Sequence, residues 1–374
     1  MGSFNGMAMR LLDYGRLAEE SLKDIPPDRE TCTALLADPE IKIHELVGAA
    51  FEVRRTHFGR KVQIHIINNA QNGHCPEDCG YCAQAKSSDA AIADYPIKSD
   101  DEILAEAKSA YESGAFRYCM VFAGRGPSKR RVARLCGLIT RIKQEYPVQV
   151  CLSPGLLDQE DTTNLKAAGL DRLNHNLNTS EARYPSICTT HTYQDRIRTL
   201  DAANQSGLEL CSGMICGMGE SPDEISGIAH TLRDLQVSSI PVNFLIPIEG
   251  NAVSQATGLT PEYCLRILCM YRLVNPRSEI RMAAGRETHL RDLEPLALHA
   301  ANSLFMDGYL NTRGSSRHRT LQMIEDAGFT VDSDHPLDAL LARETRGGDE
   351  PEAEPEDLKS REQLRAFNNP AAMG

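Results

Sequence analysis

The chain has 374 residues, 41% of them hydrophobic, enough to bury a large core, and a formal net charge of −12. That acidity leaves no broad basic face for nucleic acid. No run approaches the ~18 consecutive apolar residues of a membrane helix, and the opening stretch MGSFNGMAMRLLDYGRLAEE lacks the apolar segment of a secretory signal.

In chain order, residues 1–60 read as a helical extension and residues 61–331 alternate β-rich runs with helix-compatible stretches. The candidate strands are 63–70, 116–122, 148–153, 172–178, 208–215, 241–248, 279–284 and 303–310. Such alternation implies parallel strands joined by helical crossovers. Ser221-Pro222-Asp223-Glu224 carries an N-cap serine, a proline at the first helical position and a glutamate closing a capping box. Thr260-Pro261 opens another helix in the same way, and Val132, Leu135, Ile139 and Ile142 form one apolar stripe. Eight such units predict an α/β fold of the TIM-type (β/α)8 barrel kind, with a doubly wound sheet as the alternative from pattern alone. Residues 332–374 form a polar C-terminal tail rich in Glu and Pro that reads as disordered at its end.

Twelve cysteines in a chain of this composition point to metal or sulfur chemistry in the cytoplasm, where thiols stay reduced, rather than to a disulfide framework. After the first candidate strand comes NGHCPEDCGYCAQAK, which places Cys75, Cys79 and Cys82 in the spacing C-x3-C-x2-C. Three thiolates packed this closely are soft ligands suited to an iron–sulfur cluster. Zinc would need a fourth ligand, and His74 adjoins Cys75 too closely for the usual finger spacing. Loops at the C-terminal ends of barrel strands are also where barrel active sites lie.

With Tyr81 before the last cysteine, the motif resembles the radical S-adenosylmethionine superfamily, and the string CPEDCGYC is similar to the biotin synthase family within it. The resemblance spans roughly residues 45–331. It implies a 4Fe–4S cluster on Cys75, Cys79 and Cys82 whose open iron chelates S-adenosylmethionine. One-electron reduction then releases a 5′-deoxyadenosyl radical.

Cys119, Cys151 and Cys211 fall in three further candidate strands and Arg281 in a fourth. Alternation along a strand allows each to face the barrel interior. Singly, each cysteine reads as an ordinary buried residue. The resemblance implies that together the four hold a 2Fe–2S cluster that donates sulfur. Arginine is a poor metal ligand by its own chemistry, so its presence speaks for the family. Arg286 lies in the following loop and does not match. Cys32, Cys136, Cys188, Cys216, Cys264 and Cys269 match no cluster position, and core packing accounts for most of them.

The stretch RLNHNLNTS carries Asn174, Asn176 and Asn178 in alternation, and amides facing a barrel interior need partners. By resemblance, Asn176 contacts the ureido ring of dethiobiotin and the cofactor, and Asn178 stands where the family has an aspartate on the cofactor ribose. Arg196 matches the residue pairing with the methionyl carboxylate, Tyr81 and Ile246 the adenine contacts, and Asn243 a second ureido contact. Asn311 and Thr312 stand near the place of the substrate carboxylate. Gly213, Gly217 and Gly219 offer close backbone approach to the cofactor. The implied reaction inserts sulfur between C6 and C9 of dethiobiotin; the implied partners are a flavodoxin-type electron donor and a second copy of the chain, with neither nucleic acid nor membrane involved. The rivals are a related radical enzyme, such as a hydrogenase-cluster maturase or a methylornithine synthase, and a non-catalytic electron-transfer protein. The first would share Cys75, Cys79 and Cys82 without needing Arg281; the second would leave the asparagine array unexplained.

Overall fold

The computed structural model describes residues 12–344 and 355–365. Ten strands are present among them: β1 (Lys61–Gln71), β2 (Arg117–Phe122), β3 (Gln149–Ser153), β4 (Arg172–Asn174), β5 (Glu209–Cys211), β6 (Met214–Cys216), β7 (Ser239–Phe244), β8 (Glu279–Met282), β9 (Ser303–Met306) and β10 (Thr330–Val331). All pair in parallel, and β9 returns to β1 with Gln63 opposite Ser303 and Ile66 opposite Met306. That closure makes a (β/α)8 barrel and removes the doubly wound alternative.

Each candidate strand is present; the runs predicted over 241–248, 279–284 and 303–310 end sooner, at Phe244, Met282 and Met306, and two others depart further. The run predicted over 208–215 breaks into β5 and β6 at Ser212-Gly213. A β-carbon on Gly213 would stand 1.9 Å from the Pro241 carbonyl oxygen, so this close approach of two strands admits only glycine. The run predicted over 172–178 stays in the ladder only through Asn174; Asn178 adopts a positive φ of 68°. β10 adds a short parallel pairing to the start of β1.

The crossover helices form where their end signals sit. The Ser221 side chain caps the helix Pro222–Asp234 by accepting from the Glu224 amide at 3.2 Å, and Glu224 returns the bond to the Ser221 amide at 2.8 Å. Thr260 accepts from the Tyr263 amide at 3.2 Å and caps the helix Pro261–Val274. Val132, Leu135, Ile139 and Ile142 are all buried on one face of the helix Lys129–Glu145.

The helices Tyr14–Leu22, Arg29–Ala37 and Ile43–Phe58 precede the barrel. Ser21 donates to the Leu273 carbonyl at 2.8 Å, and Arg266 reaches the Asp38 carbonyl at 2.7 Å. The helix Pro261–Val274 is consequently enclosed on all sides, with every residue from Cys264 to Val274 buried. Its Arg272 is tolerable there because it donates to the Ala300, Pro276 and Ser278 carbonyls and to Asn302.

Two apolar regions result. The main core lies between the outer faces of the strands and the helices. A small separate cluster, Cys119, Cys151, Cys211, Ala283 and Phe305, fills the barrel interior. Above it the strand ends open into the principal cavity.

Of the tail, residues 332–344 carry the helix Leu337–Glu344, and residues 355–365 carry one helical turn, Arg361–Leu364, and lie against the loop after β9. Lys359 donates its amide to the Asn311 carbonyl at 2.7 Å, and the Arg313 amide donates to the Asp357 carbonyl at 3.0 Å. The expectation of disorder covers residues 343–374; residues 355–365 depart from it, because their backbone pairs with the loop after β9, and residues 345–354 and 366–374 lie outside the described residues.

Candidate active site

The cavity at the C-terminal mouth of the barrel has a volume of about 280 Å³. Cys75, Cys79 and Cys82, on the loop after β1, line one side of it. Cys79 is buried and the other two are half-buried. Burial pushes the Cys75 thiol up and that of Cys82 to about 11, so both are held as thiols until a cation takes the proton's place. Among the described residues, the one set of three such side chains close enough to share a single ion is Cys79, Cys188 and His191. Cys75, Cys79 and Cys82 all face one cavity, and three soft thiols around a common space suit an iron–sulfur cluster.

Polar side chains share the cavity wall with the thiols. Arg196, on the helix Tyr193–Gln205, is buried at the cavity wall rather than solvated. It donates through Nε to the Tyr184 hydroxyl, through Nη1 to the Asn176 carbonyl at 2.8 Å and bonds His191 Nε2 at 2.8 Å. A guanidinium has five N–H donors, so some remain for a carboxylate in the cavity. Asn174, Asn176 and Asn178 all line the cavity. Asn176 accepts at Oδ1 from Asn174 at 3.2 Å and from the Gly213 amide at 3.1 Å, which presents its own NH2 to the open space. Asn178 donates to the Tyr81 hydroxyl at 2.5 Å, tying the residue in the family's aspartate position to the aromatic neighbour of Cys82.

Asn243, Ile246, Asn311 and Thr312 complete the wall. The Asn243 amide spans two strands, donating to the Met214 carbonyl at 3.0 Å and accepting from the Ala284 amide at 3.2 Å. Asn311 accepts from Asn72 at 2.6 Å, and the Thr312 hydroxyl donates to the Tyr309 carbonyl at 2.9 Å. The glycines behave differently from expectation: Gly213, Gly217 and Gly219 are absent from the cavity wall and make room for Pro241, Leu259 and Arg183.

One layer deeper, the parallel register sets Cys119 directly beside Cys151, and Asn174 beside Cys211. Asn174 donates to Cys211 Sγ at 3.1 Å, linking this layer to the cavity above. Arg281 lies across from them on β8, fully buried, with Nη1 3.8 Å from Cys211 Sγ. A small void lined by Cys119, Cys151, Arg281 and Asn176 separates the groups. Cys119 and Cys151 on the small void, Cys211 beside Arg281, and the fixed guanidinium together fit a second, smaller cluster. Arg286 is committed elsewhere, to Glu287 at 2.9 Å and to Glu294.

Several residues near these sites went unread in the sequence. Cys188 departs from core packing, with its sulfur 3.7 Å from Cys79 Sγ and 3.3 Å from His191 Nδ1. The spacing C-x2-H of Cys188 and His191 was the available signal. Beneath the interior thiols lie His65, Arg117, Arg172 and Glu279, all buried. Charged residues within β2, β4 and β8 could have announced them, because a charge on an inward strand position needs a partner.

A profile for the Radical SAM superfamily matches residues 72–232, and one for the Biotin and Thiamin Synthesis associated domain matches residues 241–330. The chain is 58% identical to the biotin synthase of Acaryochloris marina over 82% of its own length and 89% of that protein's. Against the biotin synthase of Magnetococcus marinus it is 55% identical over 84% of this chain and 98% of the other. Among solved structures, methylornithine synthase superposes with a TM-score of 0.72 at 19% identity, covering 87% of this chain and 99% of that one. The FeFe-hydrogenase maturase HydG from Carboxydothermus hydrogenoformans gives a TM-score of 0.72 at 16% identity, covering 88% and 81%. At such identities the structural likeness establishes the fold alone.

Proposed function

We infer the chemistry of the site from one premise: this chain belongs to the biotin synthase family of radical S-adenosylmethionine enzymes. Its reaction inserts sulfur between C6 and C9 of dethiobiotin. We propose that Cys75, Cys79 and Cys82 hold a 4Fe–4S cluster, and that Cys119, Cys151, Cys211 and Arg281 hold a 2Fe–2S cluster. When bound, the first supplies an electron to S-adenosylmethionine and the second supplies the sulfur atom. The observation that carries this reading is the stacking of two thiol sets in one barrel, one lining the mouth cavity and one sealed below it beside Arg281.

The remaining work falls to the chain's own side chains. Arg196 offers its free N–H donors to the methionyl carboxylate, and its hold on the Asn176 carbonyl fixes the wall where cofactor and substrate meet. Asn178 and Tyr81 form the ribose and adenine side together with Ile246. Asn176 and Asn243 face the ureido ring, and the Asn311-Thr312 loop receives the substrate carboxylate. No described helix is long and apolar enough to cross a membrane. We propose that the enzyme works in the cytoplasm and takes electrons from a flavodoxin-type donor. We further propose that it works as a homodimer.

The test is anaerobic incubation of reconstituted protein with reductant, S-adenosylmethionine and dethiobiotin, followed by mass spectrometry. The reading expects both 5′-deoxyadenosine and biotin. Release of 5′-deoxyadenosine with dethiobiotin left intact would overturn the substrate assignment.

A further inference from the structure

Arg281 is an unlikely group to present to a metal site, and its surroundings show how it is held. It shares β8 with Glu279, two residues earlier on the same inward face. Glu279 Oε1 accepts from both Nε and Nη2 of Arg281, and Nη2 also donates to Ser239 Oγ at 2.7 Å. The Phe305 ring lies 4.9 Å from the guanidinium carbon and covers one face. These contacts occupy the Nε–Nη2 edge and leave Nη1 as the edge turned towards Cys211.

The same carboxylate reaches the other side of the thiol set. Its Oε1 lies 2.9 Å from His65 Nε2, and His65 Nδ1 lies 3.8 Å from Cys119 Sγ. Ser303 donates to Oε1 at 2.7 Å, and Arg172 donates to Oε2 at 2.6 Å. Glu279 is 4% exposed, so its charge is compensated by buried partners rather than by water. The carboxylate therefore touches none of the thiols, yet braces two opposite members of the set.

We propose that Glu279 is the positioning residue of the interior site, orienting Arg281 directly and Cys119 through His65. This rests on the reading of Cys119, Cys151, Cys211 and Arg281 as one ligand set. Partners that orient metal ligands from behind commonly change metal retention by about 10- to 100-fold when removed. The carboxylate also fixes which guanidinium edge faces the void, so its loss changes the electronic surroundings of a group bound there.

The experiment compares the reconstituted full-length chain with Glu279→Gln and Glu279→Asp. Iron and sulfide content, the visible circular dichroism of each cluster and thermal melting are read on all three. Glu279→Gln keeps the mouth cluster and 5′-deoxyadenosine formation, but loses the interior cluster at least about 10-fold faster under chelator and shows an altered interior-cluster spectrum. Glu279→Asp, which keeps the charge at shorter reach, falls between. An unchanged interior-cluster spectrum and lifetime in Glu279→Gln overturns the proposal. Equal loss of both clusters from a folded Glu279→Gln protein also overturns it, because that marks a role in the fold at large. If Glu279→Gln does not fold, Glu279→Asp carries the same two readings. An unsubstituted protein that holds only one cluster refutes the ligand set itself rather than the role of Glu279.

Discussion

Cys75, Cys79 and Cys82 ride on a loop at the rim of a cavity, whereas Cys119 and Cys151 on the adjacent strands β2 and β3, and Cys211 on β5 beyond β4, stand in the barrel interior. The loop set is compact in sequence; the strand set is scattered over almost a hundred positions and brought together by parallel register. The loop set faces a cavity large enough for a cofactor and a substrate, and the interior set faces a small void braced by buried ion pairs. A rim site suits chemistry that must admit and release molecules. A sealed site suits a group that is held until it is consumed.

This contrast predicts separable losses, the largest at the rim. Cys79→Ala removes one of three rim anchors and brings 5′-deoxyadenosine formation to background while the melting temperature stays near that of the parent. Normal cofactor cleavage by folded Cys79→Ala would break the comparison at its first term. Cys151→Ala leaves cofactor cleavage in place and makes little biotin, read as the ratio of biotin to 5′-deoxyadenosine by mass spectrometry. A full biotin yield would remove the interior set from the reaction.

The third effect is smaller. Ending the chain after Glu344 removes the strand-like contacts of Lys359 and Asp357 with the Asn311–Arg313 loop. Two backbone hydrogen bonds at about 1 kcal/mol each correspond to roughly a 5- to 30-fold rise in KM for dethiobiotin. The methyl ester of dethiobiotin, which lacks the carboxylate charge, should register less of that rise; an equal rise for both would detach this loop from carboxylate binding.

The smallest effect concerns Asn178. A carboxylate accepts from ribose hydroxyls more strongly than an amide, and the Tyr81 hydroxyl that now accepts from Asn178 can turn to donate. Asn178→Asp should therefore tighten S-adenosylmethionine by about 1 kcal/mol, near fivefold, in an anaerobic calorimetric titration, with dethiobiotin affinity unchanged. Weaker cofactor binding would mean that the Tyr81–Asn178 pair has been fitted to an amide.

What the sequence made legible follows the same division. The spacing of Cys75, Cys79 and Cys82 is a local signal, and strand alternation with Ser221 and Thr260 caps was enough to place eight barrel strands. Where an element depends on a distant neighbour, the sequence was silent. The break at Gly213 exists because Pro241 approaches from the next strand, and the turn at Asn178 because its backbone bonds Gly213 and Ile215. The acidic composition of the tail hid the pairing of residues 355–365 with the loop after β9, since composition carries no information about a docking partner. The placement of Glu279 behind Arg281 and His65 required three strands in register. The barrel itself does not discriminate among radical enzymes, because methylornithine synthase and the hydrogenase maturase superpose equally well. What discriminates is sequence identity to the biotin synthase relatives, and the proposed interior set with Arg281 is the structural feature that would account for it.

The central claim is that the cluster held by the interior set would supply the sulfur atom, and the rim set would generate the radical that opens dethiobiotin to receive it. It is tested most directly by rebuilding both clusters with heavy-isotope sulfide, removing free sulfide, and running a single anaerobic turnover on dethiobiotin. The account predicts biotin carrying the heavy isotope from the parent chain, and no heavy biotin from Cys151→Ala although 5′-deoxyadenosine still forms. Heavy biotin in equal amount from Cys151→Ala, or biotin of ordinary mass from the parent chain, would contradict it.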